Sequence, residues 1–236
     1  MPDELARRAG ELAWYHTLEL APGVETAGIF DLRPYVSRYG LPERLDGKRA
    51  LDVGTWDGFW AFELERRGAE VVAIDLDDES QLDVPPRRAP TFDGRRPGEG
   101  FRLAREALAS NVERVACSVY DARPEDLGTF DLVFAGSVIM HLRDQMLALQ
   151  RIAALCDGSL ITANEYDRLT GLAPFPAARY LADREQSFVF WLPSRRAWRR
   201  LLWTAGFDRV EEHGRFTLRA QPGYAVRHVV HHAHRA

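Results

Sequence analysis

Two spacings of apolar residues alternate along most of this chain. Short runs such as "RALDVG" (49–54), "EVVAIDL" (70–76), "VERVACSVYD" (112–121), "FDLVFAGSVI" (130–139) and "GSLITANEY" (158–166) carry few polar breaks, as strands buried on both faces do. Between them, "FWAFELERRG" (59–68), "FRLAREALAS" (101–110) and "RDQMLALQRIAALC" (143–156) place apolar residues three and four apart and read as helices, the first ended by Gly68. "SRRAWRRLLWTAGF" continues the pattern. Ser194 caps it, Gly206 ends it, and Ala197, Trp198, Leu201, Leu202 and Ala205 share one face. "DRVEEHGRFTL" and "GYAVRHVVHHAHR" read as two closing strands. Strands alternating with helices predict an α/β fold, a parallel sheet with helices on both faces.

The start of the chain breaks this rhythm. Residues 3–14 predict a helix with Leu5, Leu12 and Ala13 on one side. Residues 15–47 are interrupted by Pro22, Gly23, Gly28, Pro34, Gly40 and Pro42 and read as irregular. Residues 1–45 are therefore expected to form an N-terminal cap over one domain, residues 46–236. Two further stretches, 77–100 and 167–187, read as long loops, the first with "PPRR" and "GRRPGEG" as a mobile lid or an irregular connection.

Composition narrows the class. A chain of 236 residues suits one α/β domain with additions. No apolar run reaches 18 residues, and "MPDELARRAGELAWYH" carries no apolar signal region, so a soluble cytoplasmic protein is expected. A net charge of −4 argues against nucleic acid as the main partner, although tRNA stays open. Cys117 and Cys156 sit in apolar stretches as buried thiols, and neither has a metal-type partner. His228, His232 and His234 fall on one side of a strand, but no carboxylate or Cys accompanies them, and no metal is expected.

The chemistry concentrates in "LDVGTWDGFW" (51–60). Gly54 ends an apolar run and permits a tight turn with close approach of a ligand; Gly58 opens the next helix, where a side chain would strike ligand or strand. Asp75 ends the second strand 17 residues after Gly58, where a carboxylate can accept two hydrogen bonds from a ribose diol. A dinucleotide fingerprint needs a bare middle glycine beneath the pyrophosphate, and here that position is Trp56. The indole disfavours NAD and suits a nucleoside without phosphates, such as S-adenosylmethionine (SAM). Asp52, with Thr55 and Trp56 in the same turn, can face the ammonium group of SAM.

These residues resemble motif I of the class I SAM-dependent methyltransferases, matched at Asp52, Gly54 and Gly58 and broken at Trp56. The resemblance implies a Rossmann-like fold with a seven-stranded, mostly parallel sheet whose last strand runs antiparallel. It implies that Asp75 holds the ribose, that Leu76 lies beside the adenine, and that Asp121, next to Tyr120, meets the adenine amino group. "FAGSVIMHL", including Ser137, would floor the methionine end. "DVGTWDGFWAFELERRGA", "SVIMHLRD" and "SFVFWLPSRRAWRRLLWTAGF" are similar to the branch containing the tRNA wobble-uridine carboxymethyltransferase, which uses a carboxylated SAM. Met140 replaces that branch's Tyr before the His, and no lysine lies in the N-terminal segment, so plain SAM is expected.

The acceptor side is less defined. His141 either acts as general base or shapes a helix start. Tyr15 and His16 either close over cofactor and acceptor or pack inside the cap; Glu165 and Tyr166 either contact the acceptor or anchor a loop. Trp56 either packs over the methionine end, its π-face toward the sulfonium, or fills space beneath the cap. Arg195, Arg196, Arg199 and Arg200 read as a solvated helix face or as contacts for an anion or RNA. The expected function is methyl transfer from SAM to a small metabolite or natural product. An RNA-modifying enzyme and a non-catalytic SAM-binding protein are the alternatives.

Overall fold

The apolar runs assemble into one seven-stranded sheet, seen in a computed structural model that describes residues 2–85, 87, 97–184, 188–221 and 223–235. Helix α1 (Pro2–Gly10) opens the chain, followed by a small hairpin of β1 (Glu19–Ala21) and β2 (Val24–Glu25) and a 3-10 turn over Arg33–Tyr39. The alternation then begins: β3 (Arg49–Val53), α2 (Phe59–Arg66), β4 (Glu70–Asp75), α3 (Glu99–Ala107), β5 (Glu113–Ala116), α4 (Pro124–Leu127), β6 (Phe130–Gly136), α5 (Gln145–Leu155) and β7 (Cys156–Glu165). A second small hairpin, β8 (Ala178–Tyr180) with β9 (Trp191–Pro193), precedes α6 (Arg195–Ala205), β10 (Arg209–Arg219) and β11 (Ala225–His234).

The strand order is β10-β11-β7-β6-β3-β4-β5. The pairs from β7 to β5 are parallel, and β11 is the reversed strand, antiparallel to both β7 and β10. The order changes direction between β3 and β6, which makes the carboxyl ends of those strands the expected place for a ligand.

The sheet is covered on both faces. One core joins the cap to α2 and α3 through Trp14, Tyr39, Trp60, Phe62, Phe101 and Phe134. The other packs α5 and α6 on the sheet through Phe130, Leu149, Ile152, Trp198, Leu202 and Val229. Helix α6 begins where expected, with Ser194 Oγ accepting the Ala197 N–H, and ends at left-handed Gly206.

Several boundaries differ from the sequence reading. The first helix stops at Gly10, and Ala13 is exposed, because the chain turns so that the Trp14 indole donates to the Ala9 carbonyl. The segment read as irregular holds β1, β2 and a 3-10 turn. The third apolar run is a strand only over Glu113–Ala116, since residues 118–122 turn on the Ser118 carbonyl. β6 ends at Gly136, because Ser137 adopts φ +58°. The 167–187 loop contains β8, and parts of "PPRR" (residues 86 and 88) and "GRRPGEG" (residues 94–96) lie outside the described residues. Cys117 and Cys156 are free thiols, the second buried. No described helix is long and apolar enough to cross a membrane.

Candidate active site

The turn after β3 is fixed by its backbone. Gly54 has φ +74°, and its N–H donates to the Ile74 carbonyl at 2.9 Å. A Cβ on Gly54 would lie 2.6 Å from Val138 Cγ2, so the turn presses against the segment following β6. Trp56 also has a positive φ, +48°, a region that a bulky residue adopts only when its surroundings enforce it. Its N–H donates to Asp75 Oδ2 at 2.7 Å, and its half-buried ring lies 5.8 Å from that of Tyr15.

Gly58, with φ +92°, starts α2. A Cβ there would meet Phe62 at 2.5 Å and Phe101 at 2.7 Å. Close packing of the helix against two core rings therefore demands glycine here. Beneath the turn, Asp52 is 1% exposed, and burial pushes its pKa up to about 7. Among the described residues, Asp52 Oδ2 and the buried Thr55 Oγ1 make no hydrogen bond of good geometry, although Thr55 and the Ala61 N–H act against the upward shift.

Asp75 ends β4 with one backbone N–H on each oxygen, Trp56 on Oδ2 and Leu76 on Oδ1. Burial raises its pKa, against those two donors and the Arg114 charge. Arg114 clamps the following residues, pairing with Asp77 at 2.6 Å and donating to the Leu76 carbonyl at 3.3 Å. Leu76 is half-buried.

Tyr120 and Asp121 occupy less cofactor-like settings. The Tyr120 hydroxyl donates to Asp83 and accepts the Asp144 N–H at 3.0 Å, so it ties the segment after β4 to the start of α5. Asp121 is exposed, 4.0 Å from Arg123, and lines a hollow of about 710 Å³ with Cys117 and Asp126. A second hollow of about 640 Å³, lined by Arg102, Arg105 and Arg114, lies beside α3. Both border the β5 edge rather than the β3–β6 crevice, where the glycine turn and Ser137 sit.

At the ends of β6, β7 and β11 a polar group gathers. Ser137 Oγ is 2.8 Å from His228 Nε2. His228 is directly opposite Glu165 across the β11–β7 pair. Burial pushes the pKa of His228 down to about 4, with His141 adding to the shift. The half-buried His141 has Nδ1 3.0 Å from the Phe188 carbonyl, and its low-dielectric surroundings lower its pKa against that bond. Burial raises the pKa of Glu165, and Arg179 opposes the shift. Tyr166 packs on the α5–α6 core, with the Arg195 guanidinium 5.9 Å from its ring, so it stands apart from the Glu165–His228 pair.

The cap completes the crevice. Tyr15 contacts Trp56, Phe30 and His16, and Phe30 in turn meets Tyr224 of the turn between β10 and β11. His16 is 7% exposed, with Nδ1 unpartnered among the described residues, and burial pushes its pKa down to about 3, so its ring is neutral packing against Phe59.

Sequence reasoning missed Asp57 and the role of His228. Asp57 stood inside the motif but was given no role. His228 stood in a histidine-rich strand weighed only for metal, and none was expected; it bonds Ser137, while His232 meets the Tyr39 carbonyl at 2.8 Å. Among the described residues no group of His, Cys, Asp and Glu could hold a metal ion.

A parallel sheet in this order, reversed only at β11, with a glycine turn after β3 and an acid at the end of β4, defines a Rossmann-like class I methyltransferase fold. The profile of the methyltransferase domain family matches residues 29–212, and the chain belongs to that family. The N-terminal domain of EvdMO1, crystallised with S-adenosylhomocysteine, superposes with a TM-score of 0.71 at 20% identity, over 100% of this chain and 98% of that one. Magnesium protoporphyrin IX methyltransferase from Synechocystis, with bound SAM, gives 0.55 at 18% identity over 87% and 78% of the two chains. Ubiquinone biosynthesis O-methyltransferase from Vibrio parahaemolyticus is 26% identical over 111 residues, 47% of this chain and 40% of that protein. Its Vibrio campbellii counterpart is 25% identical over 130 residues, 54% and 48%. The matched stretch spans less than half the length of either Vibrio enzyme.

Proposed function

We propose that this chain transfers a methyl group from SAM to a small-molecule acceptor. The observation that carries the reading is Asp75. Each of its oxygens accepts only one backbone N–H, which leaves lone pairs free for the two hydroxyls of a ribose. Trp56, standing where a dinucleotide motif has its bare middle glycine, fits SAM rather than a dinucleotide.

SAM, when bound, supplies a methyl group on a sulfonium leaving group. The chain's residues then have to bind, orient and exclude water. Asp75 would hold the ribose and Leu76 the adenine edge. Tyr120 would fix the nearby loop, and Asp121 would reach the adenine amino group only by leaving its exposed position. Thr55, Trp56 and Ser137 would line the methionine end. His141, whose pKa its buried surroundings lower, would take the proton from an acceptor O–H or N–H. Tyr15 and Glu165 would wall the acceptor side, and His16 would hold Tyr15 in place from behind.

Calorimetric titration with SAM, S-adenosylhomocysteine and NAD tests this. Micromolar binding of the first two and none of the third is expected, followed by methylation of a member of a small-acceptor panel. Binding without any product would favour the non-catalytic alternative. The exposed Arg196, Arg199 and Arg200 on α6 favour a second reading, a tRNA-modifying enzyme of the carboxymethyltransferase branch. Salt-sensitive tRNA binding and preference for carboxylated SAM would support that reading.

A further inference from the structure

Ser137 and Trp56 are two of the three non-glycine residues with positive φ among the described residues, and they follow β6 and β3, the neighbouring strands at which the sheet order reverses. Ser137 is held there at both ends. Its N–H donates to the Ala163 carbonyl at 2.7 Å, and its hydroxyl meets His228 Nε2 at 2.8 Å. The other ring nitrogen of His228, Nδ1, lies 3.3 Å from the Val226 carbonyl. A carbonyl only accepts, so Nδ1 carries the hydrogen and Nε2 must accept. Ser137 therefore donates to His228, and its oxygen keeps two lone pairs for another donor. The next residue, Val138, abuts the glycine turn.

We propose that His228 is a positioning residue that turns the Ser137 hydroxyl into an acceptor-only group for the ammonium of the cofactor's methionine end. The inference rests on the SAM reading above. It also explains why an imidazole so close to the crevice is 1% exposed and stacked on Phe216 at 5.4 Å. Burial keeps it uncharged, and a cation there would repel the ammonium.

The test is calorimetry with S-adenosylhomocysteine and its deamino analogue, which has hydrogen in place of the ammonium. Ser137→Ala and His228→Phe, the latter keeping the ring stack, are each expected to weaken S-adenosylhomocysteine binding about tenfold, the scale of one hydrogen bond to a charged group. The deamino analogue is expected to bind wild type and variants alike. The double variant should lose no more than Ser137→Ala alone, and His228→Gln, whose side-chain oxygen can accept, should recover part of the loss. Thermal melts identify any variant that fails to fold, and the Ser137→Ala comparison stands independently of it. Equal losses for both ligands, or additive losses in the double variant, would overturn the proposal. If wild type binds neither ligand, the SAM reading itself fails.

Discussion

The Asp57 carboxylate accepts the Tyr15 N–H at 2.6 Å and, through the same oxygen, the His16 N–H at 2.9 Å. One side chain in the glycine turn thus holds the backbone of a cap 41 and 42 residues earlier. The preceding residue, Trp56, bonds Asp75 through its N–H and touches the Tyr15 ring. Cap and glycine turn are therefore tied together. Asp57→Ala leaves two backbone donors without their charged partner and should destabilise the protein by about 2–3 kcal/mol. Urea unfolding measures the loss, and amide exchange at Tyr15 and His16 should accelerate. Unchanged exchange at those two amides would show that the cap is held elsewhere.

Trp56→Gly separates the two roles of the indole. Glycine relieves a left-handed conformation worth about 1–2 kcal/mol. The half-buried ring forfeits its Tyr15 contact, so net stability should change little. If the ring packs over the methionine end, SAM affinity should fall about tenfold, one aromatic or cation–π contact's worth. A large loss of stability with unaltered affinity would make Trp56 a space filler.

Asp75→Ala removes the acceptor for the Trp56 and Leu76 N–H groups as well as the proposed ribose partner. SAM binding should weaken by about 1–3 kcal/mol. Unaltered affinity by calorimetry would remove Asp75 from the ribose.

The regular part of the sheet was legible because a buried parallel strand has almost no polar option, so "LVFAG" could hardly be anything else. Ser194 and Gly206 were legible for a related reason, since helix ends leave backbone groups that few residue types satisfy. The site was legible only where a backbone demand shows as a residue type, as at Gly54 and Asp75. Asp57 was not, because its partners are the backbone N–H groups of a cap segment whose sequence carries no trace of the contact. The Ser137–His228 pair joins residues 91 positions apart, one just past β6 and one on β11, that no local pattern brings together. The ends of the short strands followed local turns, such as left-handed Ser137, rather than hydrophobicity.

Gly58 illustrates a demand that the sequence showed while hiding its cause. Gly58→Ala would drive a methyl into Phe62 and Phe101 at a residue with φ +92°. Overpacking and backbone strain together should lower stability by about 2–4 kcal/mol in the absence of any ligand. Trimming Phe62 to Leu in the same chain should recover part of it. A stable Gly58→Ala protein that merely fails to bind SAM would return the glycine to a ligand-contact role.

The buried ionisable groups set opposing pH dependences. His16, His228 and His231 have folded pKa values pushed down by burial, to about 3, 4 and 4. Each unfolded imidazole binds a proton near pH 6.5, so their stability is fully present above that pH and is lost as pH falls toward 4. Asp52 is shifted the other way, up to about 7, so its folded form gains stability as pH falls from 7 toward 4. Each group contributes about 1.4 kcal/mol per pH unit inside its window, and these three histidines outweigh Asp52, while Asp75 and Glu165 act in the direction of Asp52 and His141 in that of the histidines. His16, His228, His231 and Asp52 together should therefore cost roughly 2–3 kcal/mol per pH unit between pH 6 and 5. Asp52→Asn removes the compensating group and should steepen that loss. His231→Leu should flatten it, because neither ring nitrogen of His231 has a hydrogen-bond partner among the described residues and the imidazole is fully buried. Urea unfolding at pH 5, 6 and 7 reads all three proteins. Parallel stability–pH lines for wild type and both variants would show that these groups titrate alike in the folded and unfolded chains.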